Sequence, residues 1–204
     1  MVDFDGFSQS IWASLQALQG AFFRPNILFL TIPDDPVRYA ETVHLVHRAR
    51  DTGVGVLLLG SHTVAGLGQR HVVNVWVRAE TSTFRVEHAF EVGSLNLILL
   101  MGYRLLRTWP GDIRVYTVID DPNDADRAAV FLDEVLDLCR YPDKVHREVL
   151  VGDFENHLHS VPVADLNILG LQPNPNLAWV RGMVRTSRST CLFVMDSGRE
   201  SALA

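Results

Sequence analysis

The sequence predicts an α/β fold, a mostly parallel sheet with helices on both faces, and three observations predict it. The candidate strands, such as "PNILFLTI", "GVLLLG" and "TCLFVM", are apolar throughout rather than alternating, as strands covered on both faces are. Stretches with apolar residues at helical spacing separate them. Two of those helices open on Asp-Pro directly after a strand, an N-cap followed by a first-turn proline.

In chain order, "SQSIWASLQALQG" (8–20) sets Ile11, Leu15 and Leu18 on one face, with Ser8 as its expected cap and Gly20 as its stop. This predicts an amphipathic helical arm over residues 1–21, with the α/β domain over 22–204. After the strand "PNILFLTI", Asp35 and Pro36 open a helix whose Val37, Ala40, Val43 and Val46 or His47 face one way to about Arg50, and "TGVGVLLLG" is the next strand. Residues 61–71, with Gly66 and Gly68, lack a period and read as a loop into the strand "VVNVWVR". Residues 79–93 fit neither period. Ser94 is the expected cap of a helix in which Leu95, Leu97, Ile98, Leu99, Leu100, Met101, Leu105 and Leu106 are apolar nearly all round, so burial on more than one side is expected. "IRVYTVI" follows as a strand. Asp121 and Pro122 then open a helix with Ala125, Ala128, Leu132, Val135, Leu136 and Cys139 on one face. "REVLVG", a short segment at "FENHLH", the strand "DLNILGL", a helix near 176–187 and the strand "TCLFVMD" complete the pattern.

A chain of 204 residues can bury roughly 70% of its unfolded surface, enough for a real core. Its net charge of -6 gives no support to nucleic-acid binding, which needs a basic face. Cys139 and Cys191 have no paired spacing and read as buried thiols of a reducing compartment. The longest apolar run, 95–102, is far short of the roughly 20 residues that cross a bilayer, and no signal peptide pattern opens the chain. The sequence therefore predicts a soluble, intracellular chain.

No catalytic constellation emerges. The loop "GSHTVAGLGQ" matches neither G-x-G-x-x-G nor the P-loop, and no G-x-S-x-G elbow is present. His44 and His47, and His157 and His159, lack the glutamate or cysteines of a zinc motif. Asp34, Asp35, Asp120, Asp121 and Asp124 fall at strand ends that a parallel sheet gathers at one edge, although helix capping accounts for Asp35 and Asp121. The four tryptophans, Trp12, Trp76, Trp109 and Trp179, are too scattered for a base-stacking platform and read as core and interface anchors.

The order within residues 74–120 carries more information. "NVWV", then "LNLILLMGYRLLRTW", then "IRVYTV" resembles the C-terminal cytosolic domain of the cation-chloride cotransporter family, in which a Val- and Trp-rich strand, a Leu-rich helix, a Trp-containing turn and an I-R-[IV]-[FY]-T-V strand follow one another. The likeness extends upstream through "FRPNILFLTIPDDPVRYAETVHLVHRARDTGVGVLLL" and downstream through "RAAVFLDEVLDLCR" and "ADLNILGL", over most of residues 22–195. Where animal members have a short "HDGG"-like turn this chain has "RAETSTFRVEHAFEVGS", which favours a prokaryotic relative.

The resemblance implies a Rossmann-like module akin to the universal-stress-protein architecture. It also implies no enzyme activity and no cofactor, a place beneath a membrane domain that carries Na+, K+ and Cl-, and a role in dimerisation and regulation. The expected partners are that membrane domain and a second copy of the chain. Their contacts are expected at the arm (Ile11, Trp12, Leu15, Leu18) and the last helix (Leu177, Val180). The alternative is a universal-stress-type nucleotide module, with the ligand near Asp34, Asp35, Gly60, Ser61, Gly66 and Gly68.

Overall fold

The alternation of strands and helices is realised in the computed structural model, which describes residues 4–22, 24–79, 84–91, 93–109 and 111–203. Helix α1 (Phe4–Gln19) precedes β1 (Ile27–Thr31), a 3-10 turn (Pro36–Arg38), α2 (Tyr39–Asp51) and β2 (Gly55–Gly60). Next come β3 (Val72–Val77), α3 (Val86–Glu91), α4 (Leu95–Thr108), β4 (Asp112–Ile119), a second 3-10 turn (Pro122–Asp124) and α5 (Ala125–Leu138). The last elements are β5 (His146–Val151), α6 (Phe154–Ser160), β6 (Leu166–Gly170), α7 (Leu177–Ser187) and β7 (Thr190–Met195).

The strands join in one sheet ordered β1-β2-β7-β6-β3-β4-β5. Every neighbouring pair is parallel except β2 and β7, which run antiparallel with Val56 opposite Met195 and Gly60 opposite Cys191. All six residues of β7 are buried, as expected of a central strand covered on both faces. One face packs α3, α4 and α5 over Val73, Val75, Val77, Ile113 and Val115. The other packs α2, α6 and α7 over Val56, Leu58, Trp76 and Tyr116. Each such side chain contributes about 1.5–3 kcal/mol by leaving water.

Sequence-level capping chemistry holds at several starts. Asp35 accepts from the Val37 amide at 3.0 Å, Asp121 from Asn123 at 2.8 Å, and Asn176 from Ala178 and Trp179 at 3.0 and 3.1 Å. Ser94 differs: it makes no capping bond, and its hydroxyl instead accepts from the Asp196 amide at 3.3 Å, tying the end of β7 to the start of α4. Helix α1 begins at Phe4, a turn before the expected start, and the side chain of Ser8 lies outside the described residues. The unassigned interval 79–93 contains α3, while residues 80–83 lie outside the described residues.

The apolar girdle of α4 divides by depth. Leu95, Leu97, Ile98 and Leu99 are buried, whereas Leu100, Met101, Leu105 and Leu106 are only partly covered. In α5 the partly exposed Ala125 gives way to Phe131 as a core anchor, beside Ala128, Leu132, Val135, Leu136 and Cys139. Tyr141 seals this face: its hydroxyl donates to the Leu99 carbonyl at 2.6 Å, and burial pushes its ionisation well above the ordinary phenol range. An added Cβ on Gly102 would meet that hydroxyl at 2.5 Å, so the helix can approach Tyr141 only with glycine there. Tyr141→Phe should lower stability by about 1 kcal/mol in urea unfolding, and an unchanged midpoint would show that the bond adds nothing.

Candidate functional site

Reversal of one strand pair decides what meets at each rim of the sheet. Because β1 and β2 run opposite to the other five strands, their carboxyl ends sit where β3 to β7 begin. Asp34 and Asp35 therefore lie at one rim and Asp120, Asp121 and Asp124 at the other, so the expected gathering of carboxylates does not form. Asp34 instead pairs with Arg181 of α7, which also donates to the Pro33 carbonyl at 3.3 Å, and the Asp34 side chain is 99% exposed. Asp35 and Asp121 are caps.

The remaining residues of the alternative ligand set line the same rim as Asp34. A Cβ on Gly60 would lie 2.5 Å from Val184 Cγ2 and 2.8 Å from Ile32 Cδ1, so internal packing accounts for this glycine. Ser61 is exposed. Gly66 and Gly68 hold positive φ of 62° and 79°, and Gly68 lies against the Trp109 ring. The loop they belong to is anchored by a residue that sequence reasoning passed over. Asp165, fully buried, accepts from the amides of Gln69 at 2.9 Å, Arg70 at 3.0 Å and Val72 at 3.4 Å. Burial raises its pKa, but the amides of Arg70, Gln69, His71 and Val72 together outweigh it and hold the carboxyl below the usual range.

Beside Asp165 a polar row crosses the sheet in register, Asn167 on β6, Asn74 on β3, Arg114 on β4 and His146 on β5. Asn167 accepts from the Trp76 indole at 2.9 Å and Asn74 donates to the Pro162 carbonyl at 3.3 Å. The signal for this row was one polar residue inside each of two apolar strands, "VVNVWV" and "LNILG".

At the opposite rim the segment after β7 folds back. Ser197 donates from its amide and hydroxyl to Glu200, and the Ala202 amide donates to Asn96 Oδ1 at 2.9 Å. Burial, then a hydrogen bond to Glu200, push the Asp196 carboxyl up to about 6. Burial acts the same way on Glu200, but its bonds from Asp196 and Ser197 prevail and its pKa is lowered.

No group of three or more His, Cys, Asp or Glu able to hold a metal occurs among the described residues. His157 and His159 reach the carbonyls of Val151 and Thr186 at 2.9 and 3.3 Å, and His44 and His47 lie on α2. Burial pushes the thiols of Cys139 and Cys191 up to about 11 and about 12, which removes nucleophilic character at neutral pH. Of the expected interface residues, Leu15 is buried, Ile11 packs against the α2 and α7 core, and Trp12 carries the Arg48 guanidinium 4.7 Å above its ring. Leu18 is 45% exposed, whereas Leu177 and Val180 are both only 2% exposed, inside the chain's own core.

Comparison with known proteins places these features. Residues 1–67 match the family model described as prokaryotic cation-chloride cotransporter, C-terminal domain, first part, and residues 68–203 match the model of its second part. The crystal structure of the cytoplasmic domain of a prokaryotic cation chloride cotransporter is similar at 33% identity, with a TM-score of 0.85, covering 96% of this chain and 73% of that one. No curated protein matches.

Two expectations follow from the rims. Asp165→Ala should cost at least about 2 kcal/mol in chemical unfolding, because several charge-assisted bonds are lost together. Its contribution is fully present above the unfolded pKa near 3.8 and is lost as pH falls through the lower folded value. Asp196 has the opposite sign: stability is greatest while it is protonated and declines as pH rises from about 4 to about 6. Asp196→Asn should therefore raise the melting temperature at pH 7.5, by about 1 kcal/mol equivalent after discounting for solvent, and flatten the slope between those pH values. A variant with the wild-type pH profile would show that the carboxyl ionises freely.

Proposed function

The chain belongs to the prokaryotic cation-chloride cotransporter family, as a non-catalytic cytoplasmic C-terminal domain, and from that premise we propose that it regulates transport as a dimer held beneath the membrane domain. Transport of Na+, K+ and Cl- is then the work of a membrane domain outside these 204 residues. No helix among the described residues is long and apolar enough to cross a bilayer.

In this reading residues 1–21 form an arm that serves residues 22–204 and a second copy of them. The observation that carries it is the half-docked state of α1. Leu15 and Ile11 secure the arm to its own subunit, while Leu18 at 45% exposure keeps apolar surface in water. Leu177 and Val180 contribute from beneath, by fixing α7 whose Trp179 is 38% exposed and donates its indole N-H to Glu155.

Light scattering after size exclusion tests this. The wild-type chain should show twice its 22.8 kDa mass across about two decades of concentration. Leu18→Asp, at an exposed position, should give a folded monomer, whereas Trp12→Asp with Leu15→Asp should also loosen the arm from α2. A Leu18→Asp protein that remains dimeric would move the interface elsewhere. ATP should leave mass and thermal midpoint unchanged, because side chains of this chain fill the space beside Gly60.

A further inference from the structure

We propose that the cleft where β4 and β5 begin is a binding site for a tetrahedral oxyanion of the phosphate class. The cleft has a volume of about 450 Å³ and is lined by Leu106, Trp109, Asp112, Arg114, Lys144 and His146, among others. Two of these residues carry buried donors that find no acceptor among the described residues, Nε1 of Trp109 and Nη1 of Arg114. Neither group can accept a hydrogen bond, so what they lack is an acceptor, and a charged one suits a guanidinium best. Buried polar groups in native proteins are otherwise nearly always paired.

The walls are firmly built. The Trp109 amide donates to Leu105 at 2.7 Å as the α4 cap, the Gly111 amide donates to the Trp109 carbonyl at 2.9 Å, and the Asp112 amide donates to the His71 carbonyl at 2.7 Å. A Cβ on Gly111 would lie 2.1 Å from that His71 oxygen, so this turn closes only with glycine. Arg114 stands in register between Asn74 and His146, and its guanidinium donates to the Tyr116 hydroxyl while the buried Nη1 keeps no acceptor among the described residues.

Arg114 and the exposed Lys144 are matched in number by Asp112 and by Glu148, but Glu148 is engaged with His146 at 3.1 Å, which leaves the guanidinium donor as the group that calls for an anion. An ordered water between Arg114 and the unpartnered Oδ1 of Asn74 is the competing occupant. A water makes no demand on Lys144, whereas an oxyanion does.

The Trp109 indole N-H signal in proton–nitrogen spectra, assigned with Trp109→Phe, reads the site directly. Inorganic phosphate added at constant ionic strength should shift it saturably in the millimolar range or below, and Arg114→Gln should abolish the shift. Lys144→Gln, at an exposed position that leaves the fold intact, should weaken binding about three-fold or more. Glycerol 3-phosphate in a parallel arm separates a free ion from the phosphoryl group of a larger molecule, and binding of either supports the site. The proposal is overturned if the signal does not move, if sodium chloride moves it equally, or if Lys144→Gln binds phosphate as the wild type does.

Discussion

The antiparallel seam between β2 and β7 is the constraint on which the rest of this structure depends. It stitches the part of the chain that matches the first unit of the family's C-terminal domain to the part that matches the second. Strand β7 is bonded on both sides and buried on both faces, so neither part has a complete sheet without the other. The seam also reverses β1 and β2 against their neighbours. Loops that follow strands in one part therefore share a rim with loops that precede strands in the other.

That reversal separates what was legible in the sequence from what was not. Strand positions, Asp35, Asp121 and Asn176 at helix starts, and the buried face of α5 follow from local chemistry, and local chemistry is written residue by residue. Direction is not. "GVLLLG" and "TCLFVM" are apolar throughout and pack as well beside a parallel as an antiparallel neighbour, so nothing local reveals that β7 returns to pair with β2. The expectation that five aspartates share an edge rested on all strands running one way, and one seam removes it.

The residues near the rims teach a related lesson. Gly60 draws attention as a glycine at a strand end, yet Val184 and Ile32 occupy the space a side chain would need. Asp165 draws none, since a single aspartate before a strand is common, yet it gathers the amides of a loop almost a hundred residues earlier. Ser94 has the composition of a cap and serves as a tie between α4 and the end of β7. In each case the deciding partner is distant in sequence. Polar groups at these positions hold segments together.

A central strand drawn from late in the chain also sets a timetable for synthesis. Gly60 pairs with Cys191, roughly 130 residues further on. At about 5–20 residues per second, the free edge of β2 waits about 7–26 seconds for its neighbour to leave the ribosome. Throughout that interval a row of apolar side chains and unbonded amides is open to other nascent chains. The exposure of that edge ends with the arrival of a single strand.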